Sequence, residues 1–220
     1  MSVKILLLHG LLDGSRQTNV DFSLALARYP HGHEIHLGNI LSPIDPSLTE
    51  NTWDALVITY EIAAMRTLPI WSWVVKRITD FRKRCSQVAI FVQDDYTYSR
   101  AIDELASELD ATTILSPLAE FAEFLYPQSL RRGIKVCHVF TGYVDTDKAR
   151  YWKDRARPLI DRDLDLGQRV TLLPPEWGES AQQKARAAQI LAQVASEYGF
   201  SVDINTNADA TLGGSEWLEF

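Results

Sequence analysis

The sequence is poor in cysteine, in positive charge and in long apolar runs, and each shortage excludes a class of protein. Only Cys85 and Cys137 occur in 220 residues, without the spacing of metal ligands, which indicates free thiols in a reducing compartment. Lys and Arg total 22 against 29 Asp and Glu, and this net charge of −7 argues against nucleic acid as the main partner. No apolar run approaches the roughly 18 residues of a membrane helix, and no cleavage site follows Met1, so we expect a cytoplasmic protein.

Two kinds of catalytic motif are also missing. Residues 7–10, Leu-Leu-His-Gly, are similar to the oxyanion turn of α/β-hydrolases, but the chain has no Gly-x-Ser-x-Gly nucleophile elbow. His138 lies inside a predicted strand, where a mobile triad base is not expected. His31, His33 and His36 have no partner carboxylate at a suitable spacing, so we predict no metal site.

What the sequence does contain is a regular alternation of apolar strands and amphipathic helices. Predicted strands occupy residues 3–9, 34–37, 55–59, 87–94, 112–115 and 135–140. A helix is predicted over residues 67–84, with Pro69 in its first turn, and another over residues 99–109. This order predicts an α/β fold with a Rossmann-like parallel sheet and helices on both faces.

A change in composition predicts a second domain. Residues 146–167 are rich in Asp, Arg and Lys, which indicates a boundary or an exposed helix. A strand over 169–173, a helix over 180–198 with Ser180 and Gln183 at capping-box spacing, and a strand over 201–205 follow. We therefore expect a first domain at residues 1–147 and a partial second α/β domain at 148–220, which looks truncated.

The most informative segment is residues 87–96, an apolar run that stops at Asp94, Asp95 and Tyr96. A strand that is apolar at nearly every position suits a parallel sheet, whose carboxyl edge is where open α/β sheets bind ligands. Asp94 and Asp95 are therefore the predicted catalytic residues, and Tyr96 a predicted substrate contact. Because strand side chains alternate, only one of the two acids should face the crevice. The alternative is that one of them caps the next helix.

Other candidates follow neighbouring strands at the same edge. In the loop after the first strand, Gly10, Asp13, Gly14 and Ser15 can offer backbone N–H groups and a carboxylate to a substrate, although such loops are also plain tight turns. Two further residues, Glu61 after the third strand and Tyr143 after the sixth, are the remaining predicted substrate contacts.

Aromatic and basic residues also share the predicted helix at 67–84. Trp71, Trp73, Lys83 and Arg84 can contact an anionic membrane surface. The competing interpretation, which we favour, is that the tryptophans pack in the core and the cations face solvent.

Four short segments, in order, give the sequence a resemblance to a known family. They are Gln93-Asp94-Asp95-Tyr96, Leu115-Ser116-Pro117, Leu125-Tyr126-Pro127 and Thr141-Gly142-Tyr143-Val144, followed later by residues 202–205 and 213–217. In this order the chain resembles GT-B bacterial glycosyltransferases related to spore-envelope and surface-polysaccharide enzymes. It departs from them at residues 171–175, Thr-Leu-Leu-Pro-Pro, where the family has a Tyr-Arg-Gly-Arg-like segment.

The resemblance implies transfer of a sugar from a nucleotide-sugar to a glycan or lipid-linked acceptor, with no other cofactor. It implies that this chain supplies mainly the acceptor-side domain and is inactive alone. The alternative from a different class is a non-catalytic Rossmann-like module that binds a ligand or a partner in the same crevice.

Overall fold

The chain forms two compact units, residues 1–143 and 144–220, whereas the sequence predicts a boundary after residue 147. The computed structural model describes residues 2–142, 145–170, 172 and 178–206. Each unit is a separate α/β arrangement.

The first unit alternates strands and helices from its start. Its strands are β1 (Lys4–His9), β2 (Glu34–Asn39), β3 (Trp53–Ile58), β4 (Cys85–Phe91), β5 (Thr113–Ser116) and β6 (Lys135–His138). Its helices are α1 (Gln17–Arg28), α2 (Pro46–Glu50), α3 (Tyr60–Ala64), α4 (Trp71–Arg82), α5 (Ser99–Glu108), α6 (Ala122–Leu125) and α7 (Pro127–Arg131).

These six strands form one parallel sheet in the order β2-β1-β3-β4-β5-β6. The predicted Rossmann-like α/β sheet is confirmed at this level, including the parallel placement of β4 between β3 and β5. The chain moves from β1 outward to β2 and then back past β1 to β3. The strand order therefore reverses between β1 and β3, and this is the switch point at which doubly wound sheets usually bind ligands.

The two faces of the sheet are covered unequally. The large core cluster joins β1, β3, β4 and β5 to the helices α3, α4 and α5, with Leu6, Ile58, Ile90 and Ile114 fully buried. On the opposite face a small cluster centred on Leu7 packs against α1. Both faces of the sheet carry helices, as predicted. Helices α3, α4 and α5 cover the face with the large cluster, and α1 packs on the face with the small one.

The second unit is a short β-α-β arrangement. It contains α8 (Thr146–Lys153), β7 (Leu166–Arg169), α9 (Glu179–Tyr198) and β8 (Val202–Asn205), and the two strands pair in parallel. The Asp145 carboxylate caps α8 by accepting from the N–H groups of Asp147 and Lys148, both at 3.0 Å. The charged segment after residue 146 is therefore an exposed helix, one of its two predicted forms.

Several boundaries differ from the prediction. Strand β4 ends at Phe91 rather than at residue 94, so Asp94 and Asp95 lie in the loop after it. Helix α4 begins at Trp71 rather than residue 67, because Leu68 precedes Pro69 and takes the extended backbone that this position favours. The second unit's first strand begins at Leu166 rather than at residue 169, in register with β8. Helix α9 begins at Glu179 after Gly178, whose φ of 80° sets the turn, so Ser180 lies inside the helix rather than at its predicted first position.

Candidate functional site

The two acids that follow β4 lie in different environments. Asp95 is fully buried, and its Oδ2 accepts hydrogen bonds from the hydroxyls of Ser116 (2.5 Å) and Tyr126 (2.6 Å). Asp94 is exposed, and its Oδ1 accepts a hydrogen bond from the Tyr96 hydroxyl at 3.1 Å. Asp94 is therefore the acid that a ligand at this edge can reach directly.

Neither acid caps the helix that follows. Tyr98 is the residue before α5, and no side chain caps the first N–H groups of that helix. The helix-capping interpretation of Asp94 and Asp95 is wrong, because the polar groups of this loop are engaged elsewhere.

A buried arginine holds the loop that carries both acids. Arg66 is 6% exposed, and its guanidinium donates to the carbonyls of Thr97 (2.8 Å), Asp94 (2.7 Å) and Gln93 (3.2 Å), and also to Ala63 (2.8 Å). Three of these four carbonyls belong to the loop after β4. The loop is therefore fixed to the turn after α3 by hydrogen bonds from one cation.

We call Arg66, Asp95, Ser116 and Tyr126 the Asp95 cluster. Burial lowers the pKa of Arg66, while the nearby carboxylates of Asp95 and Asp94 oppose that shift. Burial also raises the pKa of Tyr126 above its usual range, with Asp95 adding to the effect, so its hydroxyl stays protonated as a donor. The cluster joins residues from three of the segments that carry the family resemblance.

The same loop contains two strained backbone positions. Asp94 and Tyr98 have φ of 56° and 51°, in the left-handed region. Asp tolerates this region through its short polar side chain, whereas an aromatic residue rarely adopts it. Such positions persist where the surrounding contacts hold them, and they are enriched at binding sites.

A second buried carboxylate lies at the switch point. Glu61, in the first turn of α3, is 8% exposed, and its Oε1 accepts a hydrogen bond from the Ser23 hydroxyl of α1. The Glu61 Oε2 and the Thr59 Oγ1 are buried without a hydrogen-bond partner among the described residues. Buried polar atoms are normally paired with protein, water or ligand, so these two atoms mark a place for a hydrogen-bonding group.

His9 ends β1 next to these groups and completes what we call the Glu61 cluster, namely His9, Ser23, Thr59 and Glu61. The His9 Nδ1 accepts from the Leu11 N–H at 3.3 Å, which leaves Nε2 to carry the proton in the neutral ring. Burial lowers the pKa of His9, and the charge of Glu61 partly opposes this. His9 is therefore mostly neutral at pH 7 and can donate from Nε2.

The loop after β1 divides into packing and turn residues. A Cβ on Gly10 would lie 2.3 Å from the Met65 Cε, so close packing explains this glycine. Gly14 has φ of 83° and open space around it, and the Ser15 Oγ accepts from the Leu12 N–H at 2.9 Å, so both shape a turn. Asp13 is exposed at the tip, and its carboxylate is the group of this loop best placed to meet a ligand.

Exposed aromatic side chains follow β4, β5 and β6 at the same carboxyl edge of the sheet. Tyr96 and Tyr98 come after β4, Phe121 and Phe124 after β5, and Phe140 after β6, and all five are more than half exposed. Aromatic faces exposed beside polar groups are common in binding sites because they give contact area at low entropic cost.

Several residues of these clusters are absent from the sequence-based prediction. Arg66, Ser116 and Tyr126 are not among the predicted site residues, although Ser116 and Tyr126 belong to the motif segments. Their contacts join positions roughly 20 to 30 residues apart, which no local pattern encodes. His9 carried a usable signal, because a histidine directly ends an apolar strand at the predicted ligand edge.

Some predicted positions remain apart from these clusters. Tyr143, the motif residues 213–217 and residues 171 and 173–175 lie outside the described part of the chain. On α4, Trp71 packs against the core, whereas Trp73 is exposed with the Arg77 guanidinium 4.7 Å from its ring centroid. Lys83 and Arg84 follow the other end of this 12-residue helix, about 18 Å away.

The chain matches no family model, and comparisons with curated proteins and with solved structures find no match. Within the described ranges, no three His, Cys, Asp or Glu side chains group as metal ligands. No helix in those ranges is long and apolar enough to cross a membrane.

Proposed function

We propose that this chain is part of a GT-B glycosyltransferase and that its first unit binds the acceptor, a glycan or lipid-linked sugar, along the carboxyl edge of the sheet. One observation carries the proposal. The exposed Asp94 carboxylate lies on a loop that Arg66 fixes in place and that also carries the exposed rings of Tyr96 and Tyr98. A nucleotide-sugar is the co-substrate, and the second unit belongs to the donor side.

In the proposed reaction Asp94 takes the proton of an acceptor hydroxyl. The hydroxyl oxygen forms a bond to the anomeric carbon of the donor sugar while the bond from that carbon to the nucleotide phosphate breaks, and the nucleotide leaves with the electron pair. Asp95 is fully buried with two hydroxyl donors on Oδ2, so we assign it a positioning role through the loop. Tyr96 and Tyr98 supply faces on which a sugar ring can stack.

Glycan binding by the full chain tests the acceptor assignment. We expect a subset of a glycan array to bind, and Tyr98→Ala to weaken that binding by roughly tenfold, a loss of about 1.4 kcal/mol. Tyr29→Ala removes an aromatic ring that is also exposed but lies at the end of α1, and it should leave binding unchanged. No bound glycan, or equal losses in the two variants, contradicts the acceptor assignment.

The catalytic assignment is tested separately by turnover. In a longer protein that carries the complete donor side, with a panel of nucleotide-sugars and a bound glycan, Asp94→Asn should lower nucleotide release by about 10²–10⁴-fold. Asn tolerates the left-handed backbone of Asp94, so the fold should survive the change. Unchanged turnover in Asp94→Asn removes this residue as the base.

A non-catalytic binding module is the second candidate, and the Glu61 cluster favours it. The unpaired Glu61 Oε2 and Thr59 Oγ1 suit a small ligand that donates hydrogen bonds, without any transfer chemistry. Saturable glycan binding, with no release of nucleotide from any tested donor by the longer protein that carries the complete donor side, fits this candidate and not the transferase.

A further inference from the structure

A polar cleft lies at the opposite edge of the sheet, where β1, β3 and β4 begin side by side. Its volume is 490 Å³, and its lining includes Lys4, Thr52, Lys83, Arg84 and Ser86. This volume is within the roughly 300–1,000 Å³ of small-molecule sites. The apolar lining residues are buried, so the accessible wall is polar and suits a charged ligand.

The charge of the cleft is opposite to that of the whole chain. Three cations, Lys4, Lys83 and Arg84, line it together with one carboxylate, that of Asp54, in a protein of net charge −7. The Asp54 Oδ2 accepts from the backbone N–H of Lys4 at 2.7 Å. The Asp54 carboxylate is therefore paired with a backbone N–H group rather than with a side-chain cation.

Two of the three cations have no acidic partner. The Lys4 Nζ lies 4.7 Å from the ring centroid of Trp53, and the Arg84 Nη1 donates to the carbonyl of Glu50 at 3.1 Å. No carboxylate of the described residues pairs with either side chain. Lys83 pairs with Asp80 at 3.0 Å, but both side chains are highly exposed and such a pair exchanges readily.

The end of a helix explains only part of this arrangement. Lys83 and Arg84 follow α4, whose carboxyl terminus favours positive charge. Lys4 belongs to β1, comes from a separate part of the chain, and is held over an indole ring by its own contact. The carboxyl terminus of α4 therefore does not explain why Lys4 lies beside Lys83 and Arg84.

We infer that this amino-edge cleft binds a phosphate-bearing ligand carrying at least two negative charges, of the size of a diphosphate or a phosphorylated headgroup. The hydroxyls of Thr52 and Ser86 add donors beside the cations. The cleft is about 20 Å from the carboxyl edge, the length of a six-residue strand, so this inference is independent of the proposed transferase site.

Calorimetric titration of the full chain with inorganic pyrophosphate at low salt tests the site. We expect saturable binding that weakens as salt is added, and a further loss of roughly threefold to tenfold for each of Lys4→Gln and Arg84→Gln. Lys4→Gln disturbs no side-chain hydrogen bond described above, so it keeps the test valid if Arg84→Gln fails to fold. Lys76→Gln removes the same charge from an exposed position of α4 outside the cleft and should have no effect.

A second arm distinguishes a free phosphate compound from a lipid. Phosphatidylcholine vesicles with and without phosphatidic acid are sedimented with the same variants. Binding of phosphatidic acid vesicles that depends on Lys4 and Arg84, without pyrophosphate binding, supports the cleft with a lipid headgroup as its ligand. Absence of binding in both arms, or an equal loss with Lys76→Gln, overturns the proposal.

Discussion

The Asp95 and Glu61 clusters each bury a carboxylate at the same edge of the same sheet, yet they are built differently. Asp95 has two hydroxyl donors and the nearby charge of Arg66. Glu61 has one hydroxyl donor, from Ser23, and no cation in its cluster. In both carboxylates the second oxygen, the Asp95 Oδ1 and the Glu61 Oε2, is buried without a hydrogen-bond partner among the described residues. A buried charge is costly unless it is compensated, so the first cluster serves the fold. The second cluster has no such cation, and its Glu61 Oε2 and Thr59 Oγ1 can both bind a ligand.

The strongest test of this contrast is Arg66→Met. The change leaves Asp95 without the nearby cation and removes the donors to four backbone carbonyls. We expect the free energy of unfolding to fall by about 3–5 kcal/mol in urea denaturation. Arg100→Met, which breaks an exposed pair with Glu104, should cost less than about 1 kcal/mol. Similar losses for the two variants would show that the Asp95 cluster does not stabilise the fold.

Tyr126→Phe is the next largest effect that we expect. It deletes one of the two hydroxyl donors to Asp95 while keeping the buried ring, and should cost about 1–3 kcal/mol at neutral pH. The pKa of Tyr126 is raised in the folded state. Its contribution to the free energy of unfolding is therefore complete below pH 10, the usual pKa of a tyrosine, and is lost as the pH rises above 10. Urea midpoints measured from neutral pH to about pH 11 should therefore fall less steeply in Tyr126→Phe than in the wild type.

Glu61→Gln should have a much smaller effect. The change removes a buried charge that has no nearby cation in its cluster, and the Gln amide oxygen can still accept from Ser23. We expect the free energy of unfolding to change by less than about 1 kcal/mol in either direction. Asp95→Asn, the matched change in the other cluster, should cost more. If the ranking of the two variants is reversed, the contrast between the clusters is wrong.

The smallest effect concerns the pH response of the Glu61 cluster. Burial lowers the folded pKa of His9 below its usual value of 6.5, so the unfolded chain binds more protons as the pH falls below that value. The contribution of His9 is complete above pH 6.5 and is lost as the pH falls through the folded pKa. Urea midpoints between about pH 7.5 and about pH 5.5 should fall less in His9→Asn than in the wild type.

The matched control for that experiment is His31→Asn. His31 is exposed and has φ of 49°, a backbone conformation that Asn tolerates well. Its pH response should equal that of the wild type. An equal change in both variants would mean that burial of His9 does not contribute to the pH dependence.

The sequence predicts the sheet well because the signal is local. The apolar run before Asp94 marks β4, and the alternation of strands with helices gives the parallel order. One acid, Asp94, is exposed, as predicted, but both acids lie in the loop after β4, so strand alternation is not the reason. Asp95, Ser116 and Tyr126 fall in the motif segments, but Arg66 has no local signal and looks like an ordinary surface cation before Pro69. Its role depends on a turn that brings it to the loop after β4.

Other errors have the same origin. The strand predicted over residues 169–173 follows the most apolar window, whereas β7 is set by its pairing with β8. The Gly10 loop looks like a ligand loop by composition, but contact with Met65 accounts for its first glycine. In each case a contact distant in sequence decides between two locally acceptable structures.

The six-stranded sheet contains one buried cysteine and one exposed cysteine. Cys85 begins β4, is 6% exposed, and burial raises the pKa of its thiol to about 11. Cys137, on β6, is exposed. A thiol-reactive dye added to the native chain should therefore modify Cys137 at once and reach Cys85 only when β4 opens. The rate at which the dye modifies Cys85, compared with that of Cys137, therefore measures how often the centre of the sheet opens, without any engineered label.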